Sequence, residues 1–164
     1  MLTRNELATT LDFEVRLATL DDLDQLIGLH EKLYVDSALP RHGVDFDPER
    51  LRLWLARCLS TGRMPHLVVA DEDKLVGWAS YGIDHTFTVQ PYAYLNKFYV
   101  LPSWRGSLVP RALLKLVLDC AYGDGAKCFQ ALIGSGSDAM PSATNLFRKF
   151  GFHDMGGTML AKEL

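Results

Sequence analysis

Apolar positions change their spacing several times along this chain of 164 residues, and each change marks an element. Phe13-Glu14-Val15-Arg16-Leu17 alternates apolar with polar residues, the period of a half-buried strand. Thr19 then stands where a helix cap belongs, and Asp21 and Asp22 place negative charge in the first turn. Leu23, Leu26, Ile27, Leu29, His30 and Leu33 follow at spacings of three and four, so a helix is predicted from Leu20 to about Ser37. Ala38 to Phe46 reads as a loop. Asp47-Pro48-Glu49 opens a second helix, Pro48 to Leu59, with a cap, a first-turn Pro and an acid. His66 to Ala70 and Lys74 to Ile83 form an antiparallel hairpin around Asp71-Glu72-Asp73.

After a polar and aromatic connection, Asp84 to Pro91, an aromatic-rich strand occupies Tyr94 to Val100. It breaks at Leu101-Pro102-Ser103-Trp104-Arg105-Gly106 and passes into a helix-period run, Leu108 to Leu118. Tyr122-Gly123-Asp124-Gly125 stops that helix, and Cys128 to Ile133 is a short buried strand. Gly134 to Asp138 makes a turn, Pro141 to Phe150 a fourth helix, and the tail from Phe152 to Lys162 a final pair of strands around Gly156-Gly157. Strands joined mainly by meanders imply an α/β (α+β) fold. The sheet is mixed and mostly antiparallel, with about six to seven strands and about four flanking helices. Neither a repeat nor a linker divides the chain, which reads as one domain over 1–164 with a short N-terminal extension over 1–12.

Composition narrows the function. The chain is 48% hydrophobic and 23% charged, without an apolar run of the ~18 residues a membrane span needs. Met1 to Asp12 lacks the apolar core of an export signal, so a cytoplasmic protein with no membrane partner is expected. Cys58, Cys120 and Cys128 form no CxxC pair and sit among apolar residues, which suggests buried structural thiols. A net charge of −3 with scattered Lys and Arg argues against a nucleic-acid partner. No His, Cys, Asp or Glu cluster has metal-ligand spacing, so no metal is predicted. His42 and His85 fall in predicted loops, where solvation is their simplest role. Asp21, Asp22 and Asp24 read as a helix-start charge set.

The passage from strand to helix after Val100 carries the most chemistry. A strand that stops at a Pro, turns through a Gly and opens a helix gathers backbone N–H groups at one point, which attracts phosphate. Val100, Pro102, Arg105 and Gly106, then Leu108, Pro110, Leu113 and Leu114, stand in the register of V-x-P-x-x-R-G-x-G-x-G/A-x-x-L. Ala143, Leu146, Lys149, Gly151 and Phe152 match A-x-x-L/F-Y-x-K-x-G-F. With these two motifs, over roughly Phe13 to Leu160, the chain resembles the GNAT superfamily of N-acetyltransferases.

The resemblance implies an acyl-CoA N-acyltransferase-like fold and acetyl-CoA as co-substrate. Arg105, Gly106, Ser107, Leu108, Val109 and Arg111 would bind its pyrophosphate, and Phe98, Tyr99 and Val100 its pantetheine arm. Tyr94 and Asn96 would lie nearest the reaction as the catalytic candidates. The partner would be a small-molecule or peptide amine bounded by the loops Ala38 to Phe46 and Asp84 to Tyr92, and the C-terminal segment could sit at a homodimer contact. Four positions depart from the family pattern: Leu108 and Pro110 replace glycines, Phe147 replaces a tyrosine used as general acid, and a family carboxylate falls near Tyr94. The implied activity is acetyl or short-acyl transfer by direct attack in a ternary complex. The alternative is a catalytically weak or inactive CoA-binding or interaction module.

Overall fold

The structure, a computed structural model, describes residues 12–37, 39–132 and 140–154. Strand β1 (Glu14–Leu17) leads through a 3-10 turn (Leu20–Asp22) into helix α1 (Leu23–Asp36). A second 3-10 turn (Leu39–His42) precedes α2 (Pro48–Thr61). Strands β2 (His66–Asp71), β3 (Lys74–Asp84) and β4 (Tyr92–Val100) follow, then a 3-10 turn (Pro102–Trp104), α3 (Val109–Gly123), β5 (Cys128–Gln130) and α4 (Met140–Lys149). The five strands lie in chain order; β1 to β4 pair antiparallel and β5 joins β4 in parallel.

The count of five described strands is smaller than the six to seven expected. The expected strand pair after Phe152 lies beyond the described residues, apart from Phe152 to Asp154, which is irregular. The expected Gly134 to Asp138 turn also lies outside them. Strand β5 is shorter than the apolar run Cys128 to Ile133 suggested, because only Cys128, Phe129 and Gln130 find partners on β4.

Each face of the sheet buries a separate set of apolar side chains. Val109, Leu113, Val117 and Ala121 of α3 pack on Leu67, Val69, Val76, Ala79 and Tyr81. Leu26 and Leu29 of α1 and Leu55 of α2 cover Val68, Trp78 and Tyr99 on the opposite face. Each fully buried Val or Leu among them contributes about 1.5–3 kcal/mol. Tyr81 donates its hydroxyl to Asp124 at 2.6 Å, which fastens the end of α3 to β3.

Local chemistry sets the helix limits. Asp47 accepts the N–H of Arg50 at 2.9 Å and caps α2; Gly62, at φ +64°, closes it two residues later than its periodicity indicated. Asp22 keeps the expected helix-start role, closing a capping box with Thr19, and adds a second one. It is buried and held by both terminal nitrogens of Arg16 at 2.7 and 2.9 Å, and it accepts the N–H of Thr19 at 2.8 Å. Arg16 thus holds the Asp22 carboxyl below its usual range, and the charge is spent inside the fold. The cysteines also divide: Cys58 is buried, Cys120 half-buried and Cys128 exposed, which corrects the expectation of three buried thiols. Among the described residues no helix is long and apolar enough to cross a membrane, and no group of three potential metal ligands gathers.

Candidate active site

Two irregularities in β4 shape the candidate site. Tyr81 pairs with Leu95 and Ser80 with Lys97, so Asn96 is an extra residue, a bulge that bends the strand. On the other side, β5 pairs only with Tyr92, Ala93 and Tyr94. From Leu95 to Val100 that rim of β4 has no strand partner among the described residues. Its backbone groups are free to bind an extended, amide-bearing chain as another strand would. Phe98, Tyr99 and Val100 lie on this open stretch.

Beyond Val100 the chain turns through bonds of its own. The N–H groups of Trp104, Arg105 and Ser107 donate to Leu101, Pro102 and Trp104 at 2.9, 3.3 and 3.1 Å. Ser107 Oγ accepts the N–H of Val109 at 3.1 Å, so one of the expected phosphate donors is already occupied. The N–H groups of Gly106, Leu108 and Arg111 have no acceptor among the described residues. They cluster at the start of α3, where the helix dipole adds partial positive charge. Leu108 has φ −76°, an ordinary helical value, and a Cβ added to Gly106 would touch nothing within 4 Å. Loss of the family glycine at 108 therefore imposes no backbone strain. Pro110 is buried in the first turn, where it removes one donor but suits the helix.

The two arginines of this segment do different work. Arg105 donates from Nε to the Val100 carbonyl at 3.0 Å and reaches Asp36, the last residue of α1, at 3.0 Å. The Tyr99 hydroxyl donates to the same carboxylate at 3.0 Å, and the guanidinium stands 5.5 Å from the Tyr99 ring centre. Burial and then Asp36 push Tyr99 up to about 12, so it stays protonated. Arg105 offsets an acid that the C-terminal end of α1 would otherwise disfavour. Arg111 is exposed and forms no ion pair among the described residues, which leaves its charge available to an anion.

At the bulge the side chains turn toward α1 and α2. Tyr94 lays its ring across Gly82, where any Cβ would collide with it. Asn96 donates to Ser80 Oγ at 3.1 Å and to Met64 Sδ at 3.3 Å. Ser80 stands opposite His66 in the β2–β3 ladder. The His66 ring meets Trp54 of α2 edge-on at 5.6 Å and lies nearly parallel to Trp78 at 6.0 Å, while His30 of α1 stacks on the same Trp78 indole at 3.8 Å. Burial lowers both histidines, His30 to about 4, with His66 and Lys97 adding charge repulsion at His30. Both rings are neutral near pH 7.

The structure thus brings Tyr94 and Asn96 onto one face beside the open rim, and Gly106, Leu108 and Arg111 into one donor cluster. It does not bring Arg105, or the N–H groups of Ser107 and Val109, to that cluster. Phe147, at the tyrosine position of the family motif, is 3% exposed and packs edge-on against Phe98 and Phe152, a core role as its apolar character indicates. His42 and His85 are exposed. Trp54, Met64, His66 and Ser80 were missed in sequence. The signal that could have found them is a histidine and a serine interrupting two otherwise apolar strands.

A family model described as "Acetyltransferase (GNAT) family" matches residues 31–152. No curated protein matches the chain in sequence. Among solved structures, the aminoglycoside acetyltransferase AAC(6')-Iy, in complex with a CoA bisubstrate analogue, is 16% identical, with TM-score 0.73 over 93% of this chain and 98% of that one. AAC(6')-Ih from Acinetobacter baumannii is 16% identical with TM-score 0.70, covering 93% and 98%. The BH1408 protein of Bacillus halodurans, as a tetramutant, is 15% identical with TM-score 0.71, covering 91% and 99%. At these identities the likeness is one of fold. The matched model spans most of the chain, including the donor cluster and the bulged strand, and the chain belongs to the acetyltransferase (GNAT) family.

Proposed function

We propose that this protein transfers an acetyl or other short acyl group from CoA to a primary amine of a small molecule or peptide, by direct attack in a ternary complex. The observation that carries the reading is the rim of β4 from Leu95 to Val100, unpaired among the described residues, leading into the N–H groups of Gly106, Leu108 and Arg111, which meet no acceptor among them. The groups fit acetyl-CoA. The rim suits an amide-bearing arm, while three donors and the Arg111 charge suit a diphosphate. When bound, acetyl-CoA supplies the activated acyl group. The chain's own part is to orient it and exclude water. Tyr94 and Asn96, beside the point where β5 leaves β4, are the residues nearest the reacting carbonyl. Holding amine and thioester together is itself worth effective molarities of about 10⁵–10⁸ M in well-oriented cases.

The aminoglycoside acetyltransferases among the structural neighbours support a small-molecule amine as acceptor. One observation favours the alternative of a binding module without turnover: Phe147, buried where the family tyrosine would donate a proton, cannot do so. Titration calorimetry with acetyl-CoA, followed by thiol release with a panel of primary amines, decides between them. Binding with turnover supports the proposal. Binding without turnover on any amine supports the module, and no heat at millimolar acetyl-CoA refutes both.

A further inference from the structure

At the end of the sheet, on the β3 side of β4, a cavity of about 390 Å³ opens between three elements: Gln25, Gly28 and Lys32 of α1, Asp71 and Lys74 beside the β2–β3 turn, and Trp104 after β4. That volume falls within the ~300–1,000 Å³ of small-molecule sites. The cavity is separate from the open rim. Leu101 donates its N–H to Val76 at 2.9 Å, so β3 closes this side of the strand end, and Gly106, Leu108 and Arg111 do not line the cavity.

Two residues of α1 build this space. Gln25 bolts the helix to the turn: its Nε2 donates to the Asp73 carbonyl at 2.9 Å and its Oε1 accepts the Leu75 N–H at 2.8 Å. The walls are therefore fixed before any ligand arrives, which lowers the cost of binding. Gly28 lies in the interior of α1, where glycine destabilises a helix relative to alanine. Nothing in the packing asks for it, because a Cβ built there meets no neighbouring element within 4 Å. The missing side chain instead enlarges the cavity that Gly28 lines.

The lining is rich in donors. Lys32 and Lys74 are exposed, and neither ammonium group has an ion pair or hydrogen bond among the described residues. The half-buried Trp104 adds a flat indole whose Nε1 likewise meets no acceptor among them. Asp71 is the single carboxylate on the lining, and the Glu72 and Asp73 side chains at the tip of the turn do not line it. Two lysines against one aspartate leave a positive charge in a chain whose net charge is −3. We propose that this cavity is a binding site for a small carboxylate that carries a flat apolar ring. The ammonium groups of Lys32 and Lys74 take the carboxylate, and the ring lies on Trp104 in the space that Gly28 leaves. The site is independent of the acyl-transfer reading and stands or falls without it.

The test follows amide and indole NMR shifts of the full chain titrated with cinnamate, cinnamamide and cinnamylamine, which share a ring and differ in charge. Expected are saturable shifts at Gly28, Lys74 and the Trp104 indole with cinnamate, with cinnamamide about tenfold weaker and cinnamylamine weaker still. Gly28→Leu fills the space and improves the helix, so it should lower cinnamate affinity about tenfold or more while Tm holds or rises. Lys32→Met combined with Lys74→Met should cost about tenfold in affinity with Tm unchanged, and decides the matter if Gly28→Leu does not fold. Saturating CoA should leave cinnamate affinity within about twofold. Amide or amine binding as tightly as the acid, shifts centred elsewhere, wild-type affinity in the lysine variant, displacement by CoA, or no saturable shift with any probe each overturns the proposal. Cinnamate binding here in a chain that gives no heat with acetyl-CoA supports it and removes the acyl-transfer reading alone.

Discussion

At its C-terminal end β4 runs into a loop whose working groups are backbone N–H donors near the surface, whereas at Asn96 the same strand presents side chains packed beneath two helices. The first end binds by main-chain geometry, which tolerates changes of side chain: Leu108 and Pro110 stand where family glycines would, yet the backbone keeps ordinary helical angles. The second end depends on particular atoms, since one wrong side chain there leaves a buried donor or acceptor unmet. Affinity and rate should therefore fail separately. Damage to the loop should weaken ligand binding in a stable protein, and damage under the bulge should also register in stability.

Acid is the strongest way to test that contrast. His30 binds its proton at about 4 in the fold, against an ordinary value near 6.5, so between these values the unfolded chain holds more protons. Stability is full above about pH 6.5 and falls as the pH drops toward 4, by about 3 kcal/mol for His30, with His66 acting in the same direction. Urea midpoints at pH 7.5 and 4.5 check this; equal midpoints would contradict a neutral, buried pair.

Arg111→Glu should weaken acetyl-CoA binding by about 10–100-fold in calorimetry, the range of one or two lost charge-assisted bonds, with Tm unchanged. Arg105→Ala sharpens the contrast within the loop itself. It releases α1 from the loop at Asp36 and should cost about 1 kcal/mol or less in urea unfolding, because both partners are partly exposed. An Arg105→Ala protein with a tenfold loss of acetyl-CoA affinity at unchanged stability would show that its guanidinium serves the ligand instead. The smallest change is expected from Gly82→Ala, which pushes the Tyr94 ring off its neighbour strand. Tyr94 is part-exposed and can swing away, so stability should fall by about 1 kcal/mol or less. A change in kcat with KM for acetyl-CoA held would place Tyr94 beside the reacting carbonyl.

The backbone end was legible in the chain because local rules govern it. Pro102, Gly106 and the change of apolar period at Leu108 each act within a few residues, and the loop and α3 follow them. The side-chain end was not, because it is assembled across distance. His66, Ser80 and Asn96 come from three strands, and only the ladder register and the bulge make them neighbours. Neither register nor a bulge is written in a period-two pattern, which stays apolar and polar by turns through both. Arg105 shows the same limit from the other side. Its place in the motif was readable, but its partner, Asp36, lies at the end of a helix far back in the chain.

The open rim of β4 has one more effect, on how the protein keeps company with itself. A stretch of strand whose amides and carbonyls find no partner among the described residues is adhesive, and in concentrated solution it can recruit the same stretch of another copy. Lys97, exposed in the middle of it, is a built-in deterrent, since two copies zipped together would bring like charges close. A bound pantetheine-like chain would cap the same atoms, so supplying one during storage should do for solubility what Lys97 does only in part.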